Sequence, residues 1–230
     1  AKLHEVPSMT ACNQNYKRLF YCRYADDFLI GVIGSQEDAL AIKEQFKEFL
    51  GKALHLEMSD EKTKITHGTD KARFLGYDIT TSKNSALMYD KKHQLRKTHT
   101  GVIKLYAPRD KWQRKLMEYG ALSIRYGEDG KEIWDSKHRG NMVHMTDVEI
   151  VSTVNAEIRG MYNSYSIANN ATVIKNFAFI LEYSMYKTFG LKYRKSVYKI
   201  QRKFRKNGIF CVPYNAKTGL KYCEFYHDGF

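Results

Sequence analysis

Two aromatic and branched runs, Arg18 to Tyr24 and Phe28 to Ile33, stand on either side of a very short polar break, and that break carries two adjacent aspartates, Asp26 and Asp27. Residues of these types favour extended backbone, so a break this short joins them as a β-hairpin. The hairpin then holds two like charges beside apolar strands, which is costly unless a cation or a hydrogen-bond donor compensates. A divalent metal is an economical compensation. Magnesium takes oxygen ligands and often links one or two carboxylates to substrate phosphates, so the pair suits nucleotidyl transfer. A solvated turn carries the same dipeptide, because Asp is common in hairpin loops.

The neighbouring pattern extends this into a small α+β unit. Ser35 heads a helix, with Asp38 three residues on and apolar Leu40, Ile42, Phe46, Phe49, Leu50 and Leu54 near helical spacing. Lys64 to Thr66 and Arg73 to Ile79 read as further strands, giving the order β-β-α-β-β and an antiparallel sheet with a helix on one face. Thr80 to Ser85 is a polar stretch suited to a boundary, and the division is placed near residues 80–105.

Beyond it the pattern is mainly helical. One helix is expected over Asp110 to Tyr126. A second opens on the capping box Thr146-Asp147-Val148-Glu149 and carries Val151, Val154, Ile158, Met161 and Tyr165 on one stripe. A third runs from Asn170 with Ile174, Phe177, Leu181, Met185 and Phe189 inward. Lys192 to Lys206 is a fourth, stopped by Asn207-Gly208. Ile209 to Tyr214 and Leu220 to Tyr226 form a closing hairpin. If Tyr214 pairs with Leu220 there, Cys211 falls opposite Cys223, with His227 close by; two small buried residues are the plainer reading than a metal site short of a fourth ligand.

Charge separates the two parts. Lysine and arginine number 38 against 25 acidic residues, a net +13. Residues 1–90 hold 12 basic and 13 acidic residues, and the remainder 26 and 12, so the basicity lies entirely in the second part. Between Lys187 and Lys206 nine cations (Lys187, Lys192, Arg194, Lys195, Lys199, Arg202, Lys203, Arg205 and Lys206) occur with no acidic residue. Like charges repel along a helix, so this density points to a polyanion, nucleic acid above all. Tyr186, Tyr193, Tyr198 and Phe204 interleave with them, as stacking groups or as anchors of the helix. No apolar run approaches the roughly 20 residues of a membrane helix. The four cysteines form no C-x-x-C pair, and a reducing, cytoplasmic setting is expected.

The segment Tyr21-Cys22-Arg23-Tyr24-Ala25-Asp26-Asp27-Phe28-Leu29-Ile30-Gly31 resembles the YADD catalytic hairpin of reverse transcriptases, particularly the group II intron type. Ser59-Asp60-Glu61-Lys62-Thr63-Lys64-Ile65 is similar to the Lys-bearing segment of those enzymes, and Arg73-Phe74-Leu75-Gly76-Tyr77 to their primer grip. Arg159-Gly160-Met161-Tyr162-Asn163-Ser164-Tyr165, with Ala168-Asn169, resembles the RGxxNYY-and-Asn signature of the maturase or X domain. Ser184-Met185-Tyr186-Lys187-Thr188-Phe189 resembles its S-x-x-K-T element. Ser164 stands where the family usually has Tyr, and Tyr193 where it often has His.

The resemblance implies a partial polymerase palm over 1–90, a helical thumb or maturase domain over 91–208, and a hairpin segment over 209–230. It implies that Asp26 holds Mg²⁺ with Asp27 as second carboxylate, that Lys62 steadies the leaving pyrophosphate, and that Phe74, Leu75 and Gly76 press on the primer backbone. Arg159, Asn163 and the nine cations would contact nucleic acid. As ordinary residues, Lys62 is a solvated turn lysine, Phe74 and Leu75 are sheet core, and Arg159 with Asn163 is a hydrogen-bonding pair on one helix face. The implied partners are group II intron RNA, an RNA template with its DNA primer, and the fingers and first palm motifs of the same enzyme. Two-metal transfer needs a further carboxylate, and Glu5 is the only acidic residue before Asp26. The chain is therefore expected to be part of a longer polymerase and inactive in DNA synthesis alone. A splicing helper without polymerisation and a retron or CRISPR-associated enzyme are the rival readings.

Overall fold

The computed structural model describes residues 17–82, 87–89, 91, 93, 95–97 and 102–229. The chain divides into two compact units, one of Ala1–Leu75 with Thr80–Gly101 and one of Gly76–Ile79 with Val102–Phe230. Strands and helices are both present, and the paired strands are antiparallel, so the fold is α+β as expected.

In the first unit β1 (Arg18–Tyr24) and β2 (Asp27–Ile33) form the hairpin, in register from Arg18 opposite Ile33 to Tyr24 opposite Asp27. Alternation along the strands sends Leu19, Tyr21, Phe28 and Ile30 to one face. Helix α1 (Gln36–Leu54) packs there, with Phe46 set 4.8 Å from the Phe28 ring and 6.1 Å from Tyr21. Its start is fixed as the sequence indicates. Ser35 Oγ accepts the Asp38 N–H at 3.1 Å, and Asp38 accepts the Ser35 N–H at 2.9 Å. Lys17 adds an ion pair at 2.6 Å, and these bonds hold the Asp38 carboxyl at about 2.

Lys64 to Thr66 forms no strand, contrary to expectation. The segment is fastened by side chains instead of a ladder: Lys43 donates to the Thr63 carbonyl at 2.9 Å, and Lys47 to Asp60 at 2.5 Å. Strands β3 (Ala72–Phe74), β4 (Tyr77–Thr81), β5 (Leu87–Tyr89) and β6 (Leu95–Lys97) follow, with most of β4 belonging to the second unit. Among the described residues of this unit, Met58 is the one buried apolar side chain, while Leu19, Phe20, Tyr24, Ile33 and Phe49 are exposed.

The second unit holds a dense core. After β7 (Ile103–Tyr106) come α2 (Arg109–Glu118), β8 (Leu122–Tyr126), β9 (Glu132–Ser136), α3 (Asp147–Tyr165), α4 (Ile174–Tyr193) and α5 (Val197–Phe204). The closing strands are β10 (Arg205–Lys206), β11 (Ile209–Ala216) and β12 (Gly219–Glu224). The capping box at Thr146 and Glu149 is formed, and Val151, Val154, Ile158 and Tyr165 of α3 are buried, with Met161 partly so. All five inward positions expected on α4 are buried, and Tyr186 joins them.

The strand expected over Arg73 to Ile79 is instead two, β3 and β4, broken by the positive φ of Leu75 and Gly76, and three boundaries in the second unit also differ from the sequence reading. The helix expected to reach Tyr126 stops at Glu118, because Gly120 adopts the left-handed φ of +68° and turns the chain into β8, which pairs with β9. The helix expected over Lys192 to Lys206 is two helices. Arg194 takes φ +50° and the Lys195 N–H returns to the Gly190 carbonyl at 3.0 Å, so α4 ends and α5 begins afresh. Asn207 and Gly208, both at positive φ, form a two-residue hairpin turn between β10 and β11, so Arg205 and Lys206 leave the helix.

The tail register is shifted by one residue from the pairing considered above. Tyr214 lies opposite Lys221, so Cys211 pairs with Glu224 and Val212 with Cys223. A one-residue slip reverses the faces, which separates the two cysteines. Both are free thiols, and among the described residues no group of three His, Cys, Asp or Glu side chains could hold a metal.

Candidate catalytic hairpin and nucleic-acid interface

The aspartates sit at the apex of β1 and β2. Tyr24 and Asp27 are the last paired residues, leaving Ala25 and Asp26 as a two-residue turn. Ala25 carries φ +49°, a conformation that costs a non-glycine residue about 1–2 kcal/mol, and Arg23 Nε secures it by donating to the Ala25 carbonyl at 2.7 Å. Asp27 shares its sheet face with Tyr24, opposite the face that α1 covers. Both carboxylates are exposed, and neither has an ion pair among the described residues. As adjacent hard oxygen donors they fit two ligand positions of a magnesium ion; the described residues offer no third carboxylate beside them.

Lys62 lies exposed on the turn that follows α1. Phe74 ends β3 half-buried, and the exposed Leu75 with Gly76, at φ +48° and +82°, makes the turn into β4. Two successive positive φ values are the signature of a type I′ hairpin turn, and a leucine there is a strained backbone position.

In the second unit the maturase-like motifs do structural work. Within Ser184-x-x-Lys187-Thr188, Ser184 Oγ donates to the Lys137 carbonyl at 2.5 Å and Lys187 Nζ to the Ser136 carbonyl at 2.5 Å. Thr188 Oγ1 accepts the Arg139 N–H at 2.9 Å. The motif thus clasps the chain as it leaves β9. Asn169 Oδ1 accepts the Leu105 N–H at 2.8 Å, and Asn170 Oδ1 accepts the Ala107 N–H at 2.7 Å, so these asparagines tie β7 to the start of α4. Tyr165 stacks edge-on to Tyr77 at 5.2 Å, and the Tyr77 hydroxyl donates to the Ser164 carbonyl. Arg159 and Asn163 are exposed one turn apart on α3.

The nine cations do not form one uniform stripe. Lys187 is turned to the Ser136 carbonyl. Lys192 donates to the Met145 carbonyl at 2.5 Å and pairs with Asp147 at 2.8 Å. Asp147 also accepts from the Tyr193 hydroxyl, and burial with this contact pushes that phenol up to about 12. Lys203 lies 4.5 Å from the Tyr193 ring centre, and Lys206 lies 3.8 Å from that of Tyr222. Arg194, Lys195, Lys199, Arg202 and Arg205 are exposed.

Two anchors escaped the sequence reading. Arg139 forms a two-pronged pair with Glu157, and Asn155 receives the Tyr226 N–H at 2.8 Å while donating to the Glu224 carbonyl at 2.7 Å. Their partners are 18 and about 70 positions away, so no local pattern marks them.

Comparison with known proteins matches these two parts to two families. Residues 6–79 match the family described as reverse transcriptase (RNA-dependent DNA polymerase), and residues 100–221 match type II intron maturase. Over 219 residues the chain is 36% identical to the group II intron-encoded protein LtrA of Lactococcus lactis subsp. cremoris, covering 95% of this chain and 36% of that protein. It is 32% identical to the putative COX1/OXI3 intron 1 protein of Saccharomyces cerevisiae, covering 90% of this chain and 26% of the relative. The chain therefore spans about a third or less of the length of these relatives. With a reverse transcriptase match followed in order by a maturase match over more than half its length, the chain belongs to the group II intron reverse transcriptase and maturase family.

Proposed function

We propose that the chain supplies the metal-binding hairpin and the RNA-gripping thumb of a group II intron reverse transcriptase that also assists splicing. The observation that carries this reading is the order of its parts: an unpaired Asp26-Asp27 apex in the reverse transcriptase match, then exposed cations in the maturase match. Asp26 and Asp27 would hold Mg²⁺, which when bound supplies charge neutralisation at the transferring phosphate and activates the attacking hydroxyl. Leu75 and Gly76 present a fixed turn to the primer backbone, and Lys62 faces the leaving pyrophosphate. Arg159, Asn163 and the exposed cations from Arg194 to Arg205 hold intron RNA or the template–primer duplex, and Lys187 and Lys192 brace that surface from beneath. A third carboxylate and the nucleotide-binding fingers belong to other parts of the longer protein.

Two assays on the longer protein test the reading together. Asp26→Ala abolishes RNA-templated primer extension and leaves intron splicing intact. Replacing Lys195, Lys199 and Arg202 by Gln weakens intron RNA binding and lowers both activities. Primer extension that survives Asp26→Ala, or RNA binding indifferent to the three glutamines, contradicts it.

A further inference from the structure

Aromatic rings near the end of the second unit are dealt with in two different ways. Lys203 covers the Tyr193 ring and also lies 4.6 Å from the centre of Phe204, and Lys206 covers Tyr222. Phe204 further packs against Phe189 and Phe210 at 5.4 and 5.5 Å. Tyr198 has none of this. It is 70% exposed, and among the described residues it has no ring contact, no cation over its face and no hydrogen bond.

Its surroundings are equally distinctive. On α5 the buried side is Ile200 and Phe204, which turns Tyr198, Lys199 and Arg202 to solvent. Arg202 is four residues from Tyr198 and so its neighbour on the helix surface, and Lys195 lies in the turn just before the helix. No carboxylate pairs with Lys195, Lys199 or Arg202 among the described residues, whereas Arg125, Lys131, Arg109 and Lys115 elsewhere in the unit are matched to Asp135, Asp129, Glu132 and Glu118. An open aromatic ring with Arg202 beside it on the helix and uncompensated Lys195 and Lys199 in the same exposed stretch is chemically complementary to a nucleotide: phosphates meet the cations and the flat face meets a base. A duplex offers its phosphates here but keeps its bases stacked internally.

We infer that Tyr198 is a stacking platform for one unpaired base of RNA, so that the exposed face of α5 takes a single strand, loop or bulge rather than continuous duplex. This deepens the proposed RNA grip and rests on it. Stacking does not release counterions, so its contribution survives at high salt, where the lysine and arginine contacts fade.

The test uses the full chain and a 12-nucleotide single-stranded RNA with 2-aminopurine at its centre, alongside the same sequence as a blunt duplex. Binding to the single strand is expected to quench the 2-aminopurine fluorescence. Tyr198→Ala removes the quench and weakens single-strand binding by about 5- to 150-fold, the span of one base stacked on an aromatic ring, without altering the salt slope. Tyr198→Phe retains both, and duplex affinity is unchanged by either variant. If Tyr198→Ala binds and quenches like the parent, or loses duplex and single-strand affinity equally, the stacking inference is wrong while the RNA grip stands. If Lys195→Gln, Lys199→Gln and Arg202→Gln together change neither affinity nor salt slope, the RNA grip itself fails.

Discussion

The Arg139 guanidinium grips both oxygens of the Glu157 carboxylate, at 2.7 and 2.8 Å, with both side chains almost withdrawn from solvent. The pair joins the chain leaving β9 to the middle of α3, and the Arg139 N–H is held by Thr188 of α4. Removing one member strands a buried charge. Glu157→Gln or Arg139→Met is expected to cost about 3–5 kcal/mol in denaturant unfolding, and the double change to Met and Leu to recover much of that loss. Single variants as stable as the parent would show the pair to be dispensable.

The join between α4 and α5 depends on one small residue. A methyl group at Gly190 would approach the Lys195 carbonyl oxygen to 2.9 Å, and that oxygen is backbone. Gly190→Ala is therefore expected to destabilise the second unit by about 1–3 kcal/mol and to shift α5 as a whole. Amide chemical shifts of Val197 to Phe204 that stay at their parent positions would show that the turn absorbs the clash.

Acid should loosen the start of α1 only well below the ordinary carboxylate range. The Asp38 carboxyl is held at about 2 against an ordinary 3.8, first by Lys17 and then by the Ser35 backbone and hydroxyl. Because its folded-state value is depressed, its stabilising effect is complete above about pH 4 and fades as the pH falls toward 2. A carboxyl ¹³C titration should place the Asp38 midpoint near 2, and Asp38→Asn should remove the pH dependence of amide protection in the first turn. A midpoint at the ordinary value would mean that the cap does not persist in solution.

The cations from Lys187 to Lys206 should divide by role. Lys187 is committed to the Ser136 carbonyl, so Lys187→Met is expected to lower the unfolding midpoint and leave the salt dependence of RNA binding unchanged. Lys199→Gln and Arg202→Gln should do the reverse, each reducing the slope of log affinity against log salt by about 0.7 for a single strand. Equal effects of all three on the slope would return Lys187 to the binding surface.

This division shows where sequence reading succeeds and where it runs out. The stripes of α3 and α4 were legible because burial follows the helical period, and both capping boxes because they are local chemistry. The run from Lys192 to Lys206 reads as one basic helix, yet the left-handed Arg194 and the Asn207-Gly208 turn cut it. At Arg194 the cause is a long-range choice of packing, with Tyr193 anchored to Asp147 of α3. Strands β8 and β9 were missed since Leu122 to Tyr126 continues the apolar spacing of α2, and only Gly120 signals the stop. The tail slipped by one residue because the lengths of its two runs leave the turn position open. At the hairpin apex the type and order of residues were visible, while the strained Ala25 and its Arg23 clamp were not.

The most direct test of the metal assignment is paramagnetic broadening of backbone amide signals in this chain by Mn²⁺, a stand-in for Mg²⁺. Broadening is expected to centre on Ala25, Asp26 and Asp27 and to vanish when both aspartates are changed to Asn. Broadening centred elsewhere, or persisting at the apex in the double variant, would contradict a metal-binding role for Asp26 and Asp27.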